Sequence, residues 1–309
     1  MSKKFATLSL SDTINEIEMP ALYKKFSDKM IYKYIIKNVN PTIETKKILD
    51  VEGYSIKLPL TKDFINDKNK KIVNEIMTKS LDYIQNKGVV IIEKPKDLLL
   101  PSSYNLYEPV EQDVMPLLIC KIIQEAIDMQ GIDIKNAKIL LITGDNVYDD
   151  YIIEFIYNEL NYLTIATKDV MKIEQKAEEI FNKTGLNIIV KDINKFEKCS
   201  DDIIINLQEE KCKLIYGFKR NAVFIDISDS KINSYHLQLK KRDITVIKDF
   251  ELEIDNNRIK KLDYQMILYI NHYLEFKKYI SGNIKIVDID WLKDLVNQQK
   301  VGIKLTMAY

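Results

Sequence analysis

The sequence predicts an α/β protein: a doubly wound parallel sheet with helices on both faces, joined to a smaller N-terminal α/β domain. Three observations predict it. Short apolar runs recur from Ala137 onward: AKILLIT at 137–143, YLTIAT at 162–167, NIIV at 187–190, DIIINL at 202–207 and AVFIDI at 222–227. Amphipathic stretches separate several of them, and strands this apolar must be buried on both faces, as in a parallel sheet. All seven prolines (20, 41, 59, 95, 101, 109 and 116) lie in the first 116 residues. The later part therefore turns on Gly, Asn and Asp and reads as a run of regular elements after a more irregular beginning. At 309 residues the chain is long enough for two cores.

In the first part, Ala21 to Asn38 reads as a helix, and Gly53 to Leu60 (GYSIKLPL) alternates like a short strand. Residues 66–87 place Ile72, Val73, Ile76, Met77, Leu81 and Ile84 on one helical stripe, which Gly88 ends. Val89-Val90-Ile91-Ile92 follows as a buried strand. Residues 94–109 hold three prolines and read as a loop, and a helix runs from about Asp113 to Met129 with Pro116 in its first turn. These elements set expected domains of 1–130, 131–257 and 258–309, the last packing back on the first, which residues 282–309 could complete.

In the second part, strand 137–143 leads through Gly144 into a helix carrying Ile152, Ile153, Ile156 and Leu160 on one face. After strand 162–167, Asp169 opens a helix with Val170, Ile173, Ala177, Ile180 and Phe181 inward, and Gly185 stops it. Residues 243–248 (DITVIK) are a candidate further strand. A long helix is expected over 258–280, with Leu262, Met266, Ile267, Ile270, Tyr273 and Leu274 as its stripe. IKIVDI at 284–289 and Trp291 to Gln298 read as a last strand and helix.

Composition narrows the function classes. Hydrophobic residues at 46% and charged residues at 30% are the balance of a folded globular protein. Lys plus Arg equals Asp plus Glu at 46 each, so the chain as a whole is not built to coat nucleic acid or an anionic membrane, although a local patch stays open. The basic runs Lys240-Lys241-Arg242 and Lys68 to Lys71 are short, balanced by acids, and read as solvated faces. Neither nucleic acid nor a membrane is expected as a partner. The opening MSKKFATLSLSDT has no apolar run behind its lysines, so no signal peptide is expected. Three widely spaced cysteines argue against a disulfide framework and fit the reducing cytoplasm. His236 and His272 have no second ligand at metal-binding spacing, and no metal is expected.

In a sheet of this kind the first strand delivers a glycine-rich turn to the first helix, where free N–H groups and the helix dipole attract a pyrophosphate. Here the turn reads Gly144-Asp145-Asn146-Val147-Tyr148-Asp149-Asp150. Gly144 holds the first glycine position, Asn146 the second and Asp149 the third. Asn146 tolerates a left-handed backbone, so the turn can survive, but its side chain crowds the place where a pyrophosphate packs. Asp145, Asp149 and Asp150 surround that place with negative charge. One reading is a structural vestige whose acids cap the helix. The other is a seat for NADP: Thr167-Lys168 ends the second strand with a lysine suited to a 2′-phosphate, where an acid would hold a free ribose.

This order of elements resembles the two-domain Rossmann group that includes shikimate dehydrogenase, glutamyl-tRNA reductase and acyl-carrier-protein reductases. Asp202-Ile203-Ile204-Ile205-Asn206 is similar to that group's fourth strand, whose end lies near the nicotinamide, and Ala222 to Asp226 resembles the fifth. The resemblance implies cofactor-binding roles for Gly144, Asn146, Thr167, Lys168 and Asn206. Gly53 to Lys62 resembles the shikimate dehydrogenase strand with Asn-x-Thr-x-Pro-x-Lys, whose lysine is catalytic. Ser55 and Lys57 replace its Asn and Thr, and Lys62 comes one residue late. The resemblance thus makes Lys62 the candidate catalytic residue. Cys120, in the apolar run MPLLICKII, is expected as a small buried hydrophobe. Two functions follow: an NADPH-dependent oxidoreductase on a small carbonyl or acyl substrate in an interdomain cleft, or a Rossmann-like binding or scaffold protein, with a protein partner, that has lost its dinucleotide.

Overall fold

The structure, a computed structural model, describes residues 2–110, 115–144, 147–240, 243–280, 291, 294 and 301–308. The chain divides into two compact units, Met1–Glu111 with Leu262–Lys277, and Gln112–Lys261 with Lys278–Tyr309.

The first unit is built on a four-stranded sheet of β1 (Lys4–Leu10), β2 (Thr42–Ile48), β3 (Val51–Leu58) and β4 (Val89–Glu93), in the order β2-β3-β1-β4. β1 runs parallel to both β3 and β4, and β2 pairs antiparallel with β3. Helices α1 (Asp28–Asn38) and α2 (Lys70–Gln85) supply the other half of its core. Ile31, Tyr32 and Ile35 of α1 meet Val73, Ile76, Met77, Leu81 and Ile84 of α2, together with Ala6, Leu8, Ile56, Leu58 and Ile92 from the strands. The stripe read for α2 is therefore the face that packs.

Two strands here escaped the sequence reading, and the unit is more regular than expected. β2 (TIETKKI) is an edge strand in which only Ile48 is buried, so it shows no alternation to read. β1 is buried at Phe5, Ala6 and Leu8, but small and polar residues dilute its signal. The helix expected from Ala21 begins only at Asp28, because Ser27 is extended (φ −65°, ψ 150°). The preceding residues form a short 3-10 turn, Tyr23–Lys25, whose Tyr23 ring stacks on Tyr34 at 4.0 Å.

The second unit carries the parallel sheet. Its strands are β5 (Lys138–Ile142), β6 (Tyr162–Thr167), β7 (Ile188–Asp192), β8 (Ile203–Asn206), β9 (Val223–Asp226) and β10 (Thr245–Ile254). They lie in the order β7-β6-β5-β8-β9-β10, and every neighbouring pair is parallel. The chain winds outward from β5 to β7, then returns to the other side of β5. This is the Rossmann order, with its reversal between β5 and β8. Helices α3 (Met115–Gln130), α4 (Val147–Ile156), α5 (Val170–Thr184) and α6 (Ile232–Lys240) belong to it.

Helix α5 shows how local chemistry sets the frame. The Asp169 carboxylate accepts from Lys172 N–H at 3.2 Å, and Gly185 ends the helix at φ +78°. Ile173, Ala177 and Ile180 turn inward as read. Phe181 does not: it is 52% exposed, because it lies about 100° around the helix from Ile180.

The single helix expected over 258–280 is instead three elements. Asp255 and Asn256 both sit in the left-handed region (φ 49° and 62°) and fold β11 (Asn257–Ile259) back on β10. Then α7 (Lys261–Asn271) and α8 (Tyr273–Ile280) follow, with His272 between them. Phe276, two turns beyond buried Tyr269 and in edge contact with it, is fully buried, while Leu274 is 64% exposed. β12 (Gly302–Ala308) pairs antiparallel with β10. The strand expected at 284–289 lies outside the described residues, as does the following helix apart from Trp291 and Asp294.

Leu49 occupies the first position of the two-residue β2–β3 turn at φ +52° and is largely exposed. Left-handed backbone costs a residue with a Cβ roughly 1–2 kcal/mol, against a Gly entropy cost of roughly 0.5–1 kcal/mol. Leu49→Gly should therefore raise stability by about 0.5–1 kcal/mol in urea unfolding, and a loss would refute this account of the turn.

Candidate active site at the reversal of the parallel sheet

The carboxyl ends of β5, β6 and β8 are held level by the sheet. Ile142 pairs with Ala166 on one side and Asn206 on the other. Just beyond, Thr143 N–H donates to Ala166 O at 3.0 Å and Leu207 N–H to Ile142 O at 2.9 Å. Gly144, Thr167, Lys168 and Asn206 therefore come to one edge of one sheet. Polar residues are buried all along it: Thr143, Thr167, Asn206, Gln208, Asp226 and Ser228.

The turn after β5 is bonded to the first turn of α4. Gly144 N–H donates to both carboxylate oxygens of Asp149, at 3.2 and 3.1 Å. Asp149 is only 4% exposed, and it opens α4 from the position where a third glycine would stand. A carboxylate thus takes the amide at the first glycine position, the one that makes the tight turn in this motif. Asp150 turns elsewhere, pairing with Lys172 at 3.0 Å, and this bond holds the lysine's pKa above its ordinary value. Asp145 and Asn146 lie outside the described residues.

The other residues of this edge are also engaged. Thr167 Oγ1 accepts from Asp169 N–H at 3.1 Å. Lys168, at the end of β6, pairs with Glu210 at 2.9 Å. Asn206 Nδ2 donates to Asp226 Oδ1 at 2.8 Å and to Gln208 O at 3.2 Å, while its Oδ1 accepts from Gln208 N–H at 3.3 Å.

Asp226, at the end of β9, is the residue that sequence reading missed. Its Oδ1 accepts from Asn206, from Ser228 N–H (3.3 Å) and from Ser228 Oγ (2.6 Å), and its Oδ2 from Ser234 N–H (3.1 Å) and Ser234 Oγ (2.6 Å). The signal was an acid at a strand end with serines two and eight residues on, a pattern that ties loop amides to side chains. Asn233 locks the neighbouring loop: its Oδ1 accepts from Cys212 N–H at 2.8 Å, and its Nδ2 donates to the carbonyls of Gln208 and Glu210. Lys231, at φ +51°, donates to the Asp226 carbonyl, and burial lowers its pKa.

Lys62 belongs to the other unit, in a 3-10 turn (Lys62–Phe64) after β3. Its side chain is 80% exposed and lies 3.9 Å from Asp97. Cys120 is not fully buried as expected; its thiol donates to Phe155 O at 2.9 Å. Burial pushes the Cys199 and Cys212 thiols up, which keeps them protonated and unreactive. Among the described residues no group of His, Cys, Asp and Glu could hold a metal ion, and no helix is long and apolar enough to cross a membrane.

No family model matches this chain, and no curated protein sequence matches it. Solved structures do. L-tryptophan dehydrogenase from Nostoc punctiforme aligns over 96% of this chain and 89% of its own, at 14% identity and a TM-score of 0.38. Shikimate 5-dehydrogenase from Listeria monocytogenes, solved with shikimate and NAD, aligns over 95% and 96%, at 11% identity and 0.37. Quinate dehydrogenase from Corynebacterium glutamicum, solved with NAD, aligns over 94% and 99%, at 8% and 0.36. The likeness spans most of the chain but is low in both measures. The fold assignment rests on the strand order itself.

Two substitutions test the wiring. Asp149→Ala removes a bond to a charged acceptor and leaves the partly buried Gly144 amide unpaired, so it should cost roughly 1–3 kcal/mol in chemical denaturation. Asp226→Ala strips the partner from five donors and should cost more, on the order of 3–5 kcal/mol. Near-neutral results would show that these carboxylates do not hold the loops.

Proposed function

We propose that this chain is a Rossmann-type binding or scaffold protein in which an internal carboxylate replaces the dinucleotide phosphate. The single observation behind this reading is the Asp149 carboxylate on Gly144 N–H. An incoming pyrophosphate would have to displace that bond and then lie beside a buried like charge, which costs about 1 kcal/mol at ~4 Å in water and several times more near a protein surface. The engagement of Asn206 with Asp226 and Gln208 supports the same reading, because the fourth-strand end is braced by the protein's own groups. Its partner is then another protein, bound without hydride transfer.

The second reading is an oxidoreductase of the kind its structural neighbours are named for, taking NADP and a small carbonyl or acyl substrate. It is favoured by Lys168, which stands just past the end of β6 in the place where an acid would hold a free ribose. In it, Asp149 swings out on binding and Lys168 trades Glu210 for a 2′-phosphate.

Thermal denaturation with NADPH and NADH separates the two. A ligand at 100 times its dissociation constant adds about 2.7 kcal/mol to stability. The scaffold reading expects no shift for the native protein at about millimolar cofactor. Saturable binding by the native protein, with hydride transfer to any small carbonyl compound, would replace it by the second reading.

A further inference from the structure

The sheet of the first unit ends at an open strand. β2 is outermost, and among the described residues no strand pairs with its other edge. Thr42, Glu44, Thr45 and Lys47 are exposed, and only Ile48 is buried. β2 pairs with β3 without a register shift, from Thr42 opposite Lys57 to Ile48 opposite Val51. The two-residue turn Leu49-Asp50 closes that ladder, so Ile48 and Val51 exchange both hydrogen bonds and every second residue does likewise. Thr42, Glu44, Lys46 and Ile48 therefore bond to β3, and Ile43, Thr45 and Lys47 turn their amides and carbonyls to the open edge.

The charges of this strand are left unmatched within one copy. Glu44 and Lys46 stand on one face of the sheet, two residues apart. Neither makes an ion pair among the described residues, whereas Lys47 reaches Glu52 at 3.6 Å across the hairpin. Lys46 Nζ lies 5.9 Å from the centre of the Phe5 ring.

We propose that β2 pairs with β2 of a second copy of this chain, antiparallel about a two-fold axis at Thr45. In such a pair, residues directly opposite share a face, and position i faces j as j faces i. Centred on Thr45, all seven residues of the strand are matched. Thr45 meets the partner's Thr45, Glu44 the partner's Lys46, and Ile43 the partner's Lys47. The backbone groups that meet are then those of Ile43, Thr45 and Lys47, the ones left open by β3. Centring the pair on Glu44 or on Lys46 sets like charges opposite each other and shortens the ladder. Edge lysines ordinarily discourage pairing, but here the symmetry brings an acid to Lys46. The contact is small for a specific interface, so the dimer is expected to dissociate at about 10–100 µM.

The test is sedimentation equilibrium of the full chain from about 1 to ~300 µM, where a monomer should give way to a dimer. Glu44→Lys alone, or Lys46→Glu alone, sets like charges opposite each other twice and should weaken the dimer about tenfold or more. Mixed in equal amounts, the two variants complement each other and should form a heterodimer about as tight as the native dimer. Thr45→Pro removes the central donor but no bond to β3, and should abolish the dimer with the circular dichroism unchanged. If that variant unfolds, the mixing experiment carries the test. A monomer throughout the range, a dimer kept by all three variants, or mixed variants that stay apart would overturn the proposal. So would slow hydrogen exchange at Ile43, Thr45 and Lys47 in the dilute monomer, since the edge would then be covered by its own chain.

Discussion

The second unit depends on the double pairing of β5. Its backbone is hydrogen-bonded to β6 on one edge and β8 on the other, and Ile139, Leu140, Leu141 and Ile142 are completely buried. Such a strand can only be central, since both edges and both faces are taken. Its position makes the sheet reverse there and levels Gly144 with the ends of β6 and β8. A crevice is a geometric consequence of that reversal, whatever occupies it.

What occupies it is the protein's own acid, and the same solution appears twice. Asp149 caps the turn after β5, and Asp226 gathers the loop after β9. Each is almost wholly buried, and each offers its oxygens to donors that would otherwise need a ligand or water. Along this edge the described side chains are bonded largely to one another, while Gln208 Oε1 and Asp150 Oδ1 are buried without a hydrogen-bond partner.

Much of the fold was legible because it is written in burial. The runs at 137–143, 162–167, 187–190, 202–207 and 222–227 all became parallel strands; the central ones are buried on both faces, whereas β7, at the border, leaves Ile189 49% exposed. Asp169 and Gly185 marked the ends of α5 by local chemistry alone. What stayed hidden was set by partners. β2 is polar because it lies at an edge, and β1 is a strand because of what flanks it. The turn at Asp255-Asn256 was signalled by residues that tolerate left-handed backbone, yet the apolar stripe beyond it extended the helix too far. At the candidate site, sequence placed Gly144 and Asn206 on the correct edge. It could not say that Asp149 would fold back on Gly144, because three acids in a first turn can equally face solvent.

β12 has a protective effect. β10 is ten residues long and carries Val246, Ile247, Phe250, Leu252 and Ile254, the make-up of a strand prone to recruit another chain. By lying along it from Val246 to Glu253, β12 consumes the hydrogen-bonding groups that would otherwise serve as a template. At the opposite border, β7 ends in Lys191 and Asp192, where charge discourages the same event. The two borders of one sheet are thus treated differently, β10 being covered by β12 and β7 ending in charged side chains.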